Sequence, residues 1–203
     1  MAQDEVLWNL DLIELLKKEF PNFGIFKGRI LKDICLQKNK NDKFELQLGF
    51  ADQDIVIYNK SEIMNIEDLH GINSINIHNM DKNNKKDLIV PSIIIELKYD
   101  GVNTHGIVTY SNIASEIKSI FPKCKYNFAL RYNSGTSENK LLRNGKNFDN
   151  ILYFEDDGAY GKKYKPGDFK INLKNSKEIN AKYNLLLDFI KLTMGADKNH
   201  FLK

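Results

Sequence analysis

The chain has 203 residues, 42% of them hydrophobic and 28% charged, with a formal net charge of +3. This is the composition of an ordinary globular domain, and so small a charge neither requires nor excludes a nucleic-acid partner. Its two cysteines, Cys35 and Cys124, are far apart and lack metal-type spacing, which argues against a zinc site or a disulfide framework. Signal-peptide and membrane-spanning patterns are absent, so we expect a soluble cytoplasmic protein without membrane contact.

The first quarter of the chain predicts a helix followed by strands. Apolar residues recur at helical spacing over residues 4–20. Strand-like runs follow at 25–37, 44–50 and 54–58, and Ala51-Asp52-Gln53 reads as a turn between the last two. These patterns predict an N-terminal helix and an added β-meander.

Two apolar runs further along the chain predict a β-hairpin. Residues 88–90 and 93–95 are rich in β-branched side chains, and Pro91-Ser92 between them is a turn signal. A turn centred there would place Asp87 opposite Glu96, with Cβ atoms roughly 5 Å apart. Because strand side chains alternate, Lys98 would share the face of Glu96. The pattern therefore predicts two acids and one base at a single spot.

Alternating elements follow this hairpin to the end of the chain. A helix is predicted over 104–121, where Pro122 stops it, and a strand over 125–132. A further strand at 149–154 and an amphipathic helix over 176–194 complete the pattern. This order predicts an α/β fold with a central mixed sheet flanked by helices.

The predicted cluster has a plausible chemistry and a simpler alternative. Opposed carboxylates repel one another, and a hard divalent cation such as Mg²⁺ would relieve that repulsion. Lys98 would then orient or activate an attacking water. The alternative is a salt bridge between Lys98 and either acid. The Glu-x-Lys spacing also occurs at 116–118 and 138–140, but neither lies in an apolar strand.

At these residues the chain resembles the PD-(D/E)XK nucleases, the superfamily built on the restriction-endonuclease core. The resemblance covers roughly residues 86–132, and Lys86 stands where the pattern has proline. It implies a restriction-endonuclease-like core in which Asp87 and Glu96 bind Mg²⁺, with Mn²⁺ as a substitute. It also implies that the Leu97 carbonyl joins these ligands and that Lys98 is the catalytic lysine.

One further ligand is a candidate on the first helix. Glu14 could reach the site, as a first-helix acid does in some of the resembling nucleases. The alternative is a solvated glutamate on the polar face of that helix.

Two polar segments are candidates for nucleic-acid binding. Lysines could neutralise phosphates and tyrosines could stack on bases, whereas solvated surface loops are the alternative. The candidate residues are Lys82, Lys85 and Lys86 before the hairpin, and Tyr160, Lys162, Lys163, Tyr164 and Lys165 in the loop 156–169.

These observations predict a single nuclease domain over residues 1–203. It comprises an N-terminal helix and meander (1–60), a catalytic core (80–132) and a C-terminal strand, basic loop and helix (133–203). The predicted function is that of a Mg²⁺-dependent DNA endonuclease, most simply a type II restriction enzyme acting on double-stranded DNA as a homodimer. A non-catalytic binding protein of the same fold and a repair, phage-defence or RNA-directed nuclease remain alternatives.

Overall fold

The structure is a computed structural model of the chain. It describes residues 2–61, 63–65, 75–77, 87–133, 135–155 and 163–195. The helices are α1 (Ala2–Glu19), α2 (Thr104–Ile120), α3 (Glu138–Asn144), α4 (Asp168–Asn175) and α5 (Lys177–Met194). The strands are β1 (Phe23–Lys38), β2 (Phe44–Asn59), β3 (Ile63–Asn65), β4 (Ile75–Ile77), β5 (Asp87–Ile89), β6 (Ile93–Lys98), β7 (Lys125–Tyr132) and β8 (Asn150–Glu155).

A mixed sheet forms the centre of the fold. Its strands follow the order β1-β2-β6-β7-β8, and β4 adds to β2 outside this path. Pairing is antiparallel from β1 to β6 and parallel from β6 to β8. The parallel pairs require crossovers, which α2 and α3 supply. The predicted α/β class and mixed sheet are therefore confirmed.

Two apolar layers hold the helices to the sheet. On one face, Ile117 of α2 packs in a cluster with Ile94 and Tyr126 of the sheet. On the other face, Trp8 of α1 and Tyr183 of α5 belong to the largest buried cluster. The sheet is consequently covered on both sides. Within the described residues, none of the helices has the length and apolarity needed to cross a membrane.

The N-terminal meander predicted from the sequence is not confirmed, because β2 runs without a break from Phe44 to Asn59. The predicted turn at 51–53 is wrong. Its polar residues have partners within the fold: Gln53 is buried and accepts a hydrogen bond from the Tyr126 hydroxyl at 2.8 Å. Gln53 is thus polar because it hydrogen-bonds inside the fold, and Asp52 is an exposed strand residue that pairs with Arg29.

The predicted hairpin between residues 88–90 and 93–95 is also wrong. Both edges of β6 are already paired, with β2 on one side and β7 on the other. Ser92 continues this pairing, since its N–H donates to Ile57 and its carbonyl accepts from Lys125, both at 2.9 Å. The preceding strand β5 pairs with β3 instead, which places Asp87 against Asn65 rather than Glu96.

Candidate active site

The carboxyl end of β6 carries a buried ion pair. Glu96 and Lys98 alternate with Leu97 and so face the same side of the sheet. The Lys98 ammonium lies 2.9 Å from Glu96 Oε1 and 4.6 Å from the centre of the Tyr110 ring on α2. Glu96 is 5% exposed, and water therefore has little access to its carboxylate.

A third charged residue, Asp54, reaches the same place from β2. The β1–β2 register matches Phe26 with Val56 and Gly28 with Gln53, which leaves Lys27 opposite both Asp54 and Ile55. Such a bulge bends a strand and redirects its side chains. Asp54 Oδ2 accepts the Leu97 N–H at 3.0 Å and lies 3.9 Å from the Lys98 ammonium. Among the described residues, Asp54 is thus an acid beside the Glu96 and Lys98 pair, the place predicted for Asp87.

Helix α1 supplies two further residues, Glu5 and Asn9, which lie one turn apart. Glu5 accepts from the Lys98 ammonium at 3.3 Å and from the Tyr99 N–H at 3.2 Å. Asn9 Nδ2 donates to the Asp54 carbonyl at 3.0 Å and to Asp54 Oδ1 at 3.3 Å. Because residues four apart share a helix face, α1 contacts both Asp54 and Lys98.

The cluster carries a net negative charge when all its members are ionised. Burial raises the pKa of Glu96 to about 7, although Lys98 acts to lower it. For Lys98, burial lowers the pKa but attraction by Glu96 and Glu5 outweighs it, so the net pKa lies above the usual value. When all are ionised, the carboxylates of Glu5, Asp54 and Glu96 exceed the ammonium groups of Lys27 and Lys98 by one charge.

The side chains present suit a hard cation such as Mg²⁺. Asp54 and Glu96 offer carboxylate oxygens, which Mg²⁺ prefers, and Mg²⁺ usually keeps several waters. Asn9 Oδ1 is buried beside them and accepts no hydrogen bond within the described part of the chain. In the same part of the chain, no group of three or more His, Cys, Asp or Glu side chains is arranged to hold a metal ion. Water or substrate oxygens would have to complete the coordination.

The structure brings together only part of the predicted ligand set. Glu96 and Lys98 meet as predicted, and the Leu97 main chain is joined to the site through its N–H. The side chain of Asp87 lies outside the described residues. Glu14 does not reach the site, because its carboxylate pairs with Lys170 at 2.8 Å and is 63% exposed. The alternative of a solvated glutamate applies to Glu14.

The structure describes only some of the residues that are predicted to contact nucleic acid, and for the lysines this stays a prediction. Lys82, Lys85, Lys86, Tyr160 and Lys162 lie outside the described residues, whereas Lys163 and Lys165 are described and exposed.

Tyr164 is not available for base stacking, and that prediction is wrong. It is 5% exposed, and its hydroxyl donates to Asp11 at 2.6 Å. A tyrosine among lysines in the sequence can equally pack in the core and hydrogen-bond there through its hydroxyl.

Sequence reasoning missed Asp54, Glu5 and Asn9. A signal for Asp54 was present, since it directly precedes the apolar run 55–57 much as Asp87 precedes 88–90. No local sequence pattern distinguishes Glu5 and Asn9 from the other polar residues of α1, because their role depends on their partners on β2 and β6.

Comparison with known proteins finds similarity to solved structures alone. No family model matches the chain. No curated protein matches it either. A chain of the structure described as the native BbvCI A2B2 tetramer at low resolution is similar, with a TM-score of 0.47 and 12% sequence identity. The match covers 87% of the present chain and 59% of that one.

Proposed function

We propose that the protein is a metal-dependent nuclease of the PD-(D/E)XK type, with a restriction-endonuclease-like fold. The observation that carries this proposal is the meeting of Asp54, Glu96 and Lys98 at the divergence of β2 and β6. Buried like charges are costly unless something compensates them. A site that holds two acids and one lysine in this way suits phosphodiester hydrolysis better than structural support.

The role proposed for Asp87 passes to Asp54. The Asp87 assignment depended on a hairpin that does not form, since Asp87 pairs through its main chain with Asn65. Asp54, by contrast, lies within 3.9 Å of Lys98 and hydrogen-bonds to the residue between Glu96 and Lys98.

Each residue has a distinct task in the proposed reaction. Asp54 and Glu96 would hold Mg²⁺, and the Leu97 carbonyl oxygen would be a further ligand. Mn²⁺ would be able to replace Mg²⁺. A cation held there would supply Lewis acidity, which polarises a phosphate oxygen and lowers the pKa of a bound water. Lys98 would position that water and offset charge that develops on the phosphate oxygens. Glu5 would hold Lys98 in place, and Asn9 would orient Asp54.

The substrate and assembly follow from the resemblance and from one geometric consideration. Each chain carries one cluster of this kind among its described residues, and cutting both strands of a duplex needs two. A twofold homodimer supplies them, and its symmetry matches that of a palindromic site. We therefore propose double-stranded DNA as the substrate and a type II restriction enzyme as the class.

Cleavage assays with the wild-type protein test this proposal. Supercoiled plasmid, linear duplex, single-stranded DNA and RNA are each incubated with Mg²⁺, Ca²⁺ or EDTA. We expect duplex cleavage with Mg²⁺, and binding without turnover with Ca²⁺, whose bonds are longer and whose geometry is looser. Preferential cleavage of RNA would favour the RNA-directed alternative. Binding to duplex DNA without cleavage in any ion would favour a non-catalytic protein.

A further inference from the structure

Lys27 is a second lysine at the site, and it differs from Lys98 in its surroundings. It lies on β1 opposite the bulge, with its ammonium 2.9 Å from Asp54 Oδ1. Its side chain is 46% exposed, compared with 15% for Lys98. Among the described residues Asp54 is its one ion-pair partner, whereas Lys98 contacts three carboxylates. Lys27 is therefore the more loosely held cation.

Asp54 Oδ1 already accepts two hydrogen bonds, so a cation that binds this oxygen must displace one of the donors. Leu97 and Asn9 donate from buried groups, and both are fixed by the strand and helix to which they belong. Lys27 shares Oδ1 with Asn9 but reaches it from solvent on a flexible stem. A divalent cation at Asp54 would thus displace the Lys27 ammonium most easily.

We propose that Lys27 is a phosphate-binding residue that pairs with Asp54 only until a divalent cation binds there. The displaced ammonium then contacts a backbone phosphate next to the scissile one. This inference rests on the proposed function, because it requires a cation and a polynucleotide at the same site. It links the two ligands: the cation releases Lys27, and the released charge strengthens binding of the nucleic acid.

Metal binding without DNA tests the exchange. Mn²⁺ is titrated calorimetrically into the wild type and into Lys27→Met, which keeps the aliphatic stem. Removing a competing ammonium should tighten Mn²⁺ binding roughly three- to tenfold. Lys38→Met is the matched control, because Lys38 is the last residue of the same strand and its ammonium pairs with Asp42 at 2.7 Å rather than with Asp54. Its Mn²⁺ affinity should equal that of the wild type, and Lys27→Arg should restore the competition.

Duplex binding in Ca²⁺ tests the phosphate contact. A fluorescein-labelled duplex is titrated at several salt concentrations, and log K is plotted against log [salt]. Losing one phosphate contact should reduce the slope by roughly 0.9 in Lys27→Met. Lys27→Arg and Lys38→Met should keep the wild-type slope.

The outcomes separate this inference from the proposed function. An unchanged salt slope in Lys27→Met overturns the phosphate contact, even where the wild type cleaves DNA. Unchanged Mn²⁺ affinity overturns the exchange. A reduced slope in a protein that never cleaves supports the phosphate contact and rejects the nuclease. If the wild type binds no duplex, both the phosphate contact of Lys27 and the proposed DNA nuclease function are rejected.

Discussion

Asp54 Oδ2 accepts the main-chain N–H of Leu97 at 3.0 Å, where β2 and β6 separate. The last register pair between these strands is Ile55 with Ile95, so the carboxylate takes the place of a main-chain acceptor in the ladder. Backbone N–H groups that are buried without an acceptor are costly. This hydrogen bond fixes the Asp54 carboxylate next to the Glu96 and Lys98 pair before any ligand binds.

The first prediction separates Asp54 from Asp87 as the metal-binding acid. Asp54→Asn should weaken Mn²⁺ binding at least about a hundredfold, because a direct ligand matters more than the outer partners whose loss costs 10–100-fold. Its amide oxygen can still accept the Leu97 N–H, and the fold should persist. Asp87→Asn should bind Mn²⁺ as the wild type does. Calorimetric titration measures both.

Asp52→Asn is the matched control for Asp54→Asn. Asp52 is on the same strand, its side chain is 73% exposed, and its carboxylate pairs with Arg29. Its substitution should leave Mn²⁺ affinity unchanged. Loss of binding in Asp87→Asn with retention in Asp54→Asn would reverse the assignment.

The second prediction concerns stability and pH in the absence of metal. Burial raises the pKa of Glu96 from 4.5 to about 7 in the folded protein. Between these values the folded state binds more protons than the unfolded state, so Glu96 lowers the free energy of unfolding as the pH rises. Glu96→Gln should lack this contribution and gain on the order of 2–3 kcal/mol over the wild type across that range.

Urea unfolding in EDTA from pH 4.5 to 8 measures the difference. Glu116→Gln is the control, because Glu116 is an exposed residue of α2 that pairs with Lys32 of β1. Its curve should run parallel to that of the wild type. A Glu96→Gln curve that also runs parallel would show that the ionised Glu96 carboxylate is not destabilising.

The third prediction makes Asn9 a positioning residue. Asn9→Ala removes the donor to the Asp54 carbonyl and Oδ1 but leaves the other contacts of Asp54 in place. We expect Mn²⁺ affinity to fall roughly 10–100-fold, as for other groups that orient a metal ligand. Calorimetric titration measures the fall. Asn180→Ala, on the exposed face of α5, is the control and should bind normally. Unchanged affinity in Asn9→Ala would assign Asn9 to folding alone.

The fourth prediction concerns Tyr164. Its hydroxyl donates to Asp11 at 2.6 Å and accepts from the Phe169 N–H at 3.1 Å. Tyr164→Phe should therefore lower the free energy of unfolding by about 1–3 kcal/mol. Duplex affinity should not change, because the buried ring cannot stack on a base. Chemical unfolding and fluorescence anisotropy measure the two effects. Normal stability with weakened duplex binding would restore the stacking interpretation.

Most of the regular structure was predictable because local patterns determine it. The predicted helix over 104–121 corresponds to Thr104–Ile120, and the Asn103 side chain caps it by accepting the Gly106 N–H at 2.8 Å. The predicted strand over 125–132 matches β7, and the last helix, predicted over 176–194, matches Lys177–Met194. Periodicity and capping residues are local signals, and they transfer directly to structure.

The site was only half predictable, because half of it depends on long-range pairing. Glu96 and Lys98 lie two residues apart in one strand, so alternation alone places them together. Asp54 is 43 residues from Leu97, and no local pattern shows that β2 rather than β5 lies beside β6. Pro91-Ser92 is a good turn signal, but tertiary pairing of Ser92 on both sides overrides it.

The proposed function requires that Glu96 and Lys98 both take part in the hydrolysis of a phosphodiester bond. The chain contains its own control, since Glu116 and Lys118 have the same spacing on α2 and pair instead with Lys32 and Asp149. The decisive measurement is the single-turnover rate of duplex cleavage in Mg²⁺, with enzyme in excess. We predict that Glu96→Gln and Lys98→Met each lose more than about a hundredfold in rate, while Glu116→Gln and Lys118→Met cleave like the wild type. Wild-type rates in folded Glu96→Gln and Lys98→Met would contradict a catalytic role for these two residues.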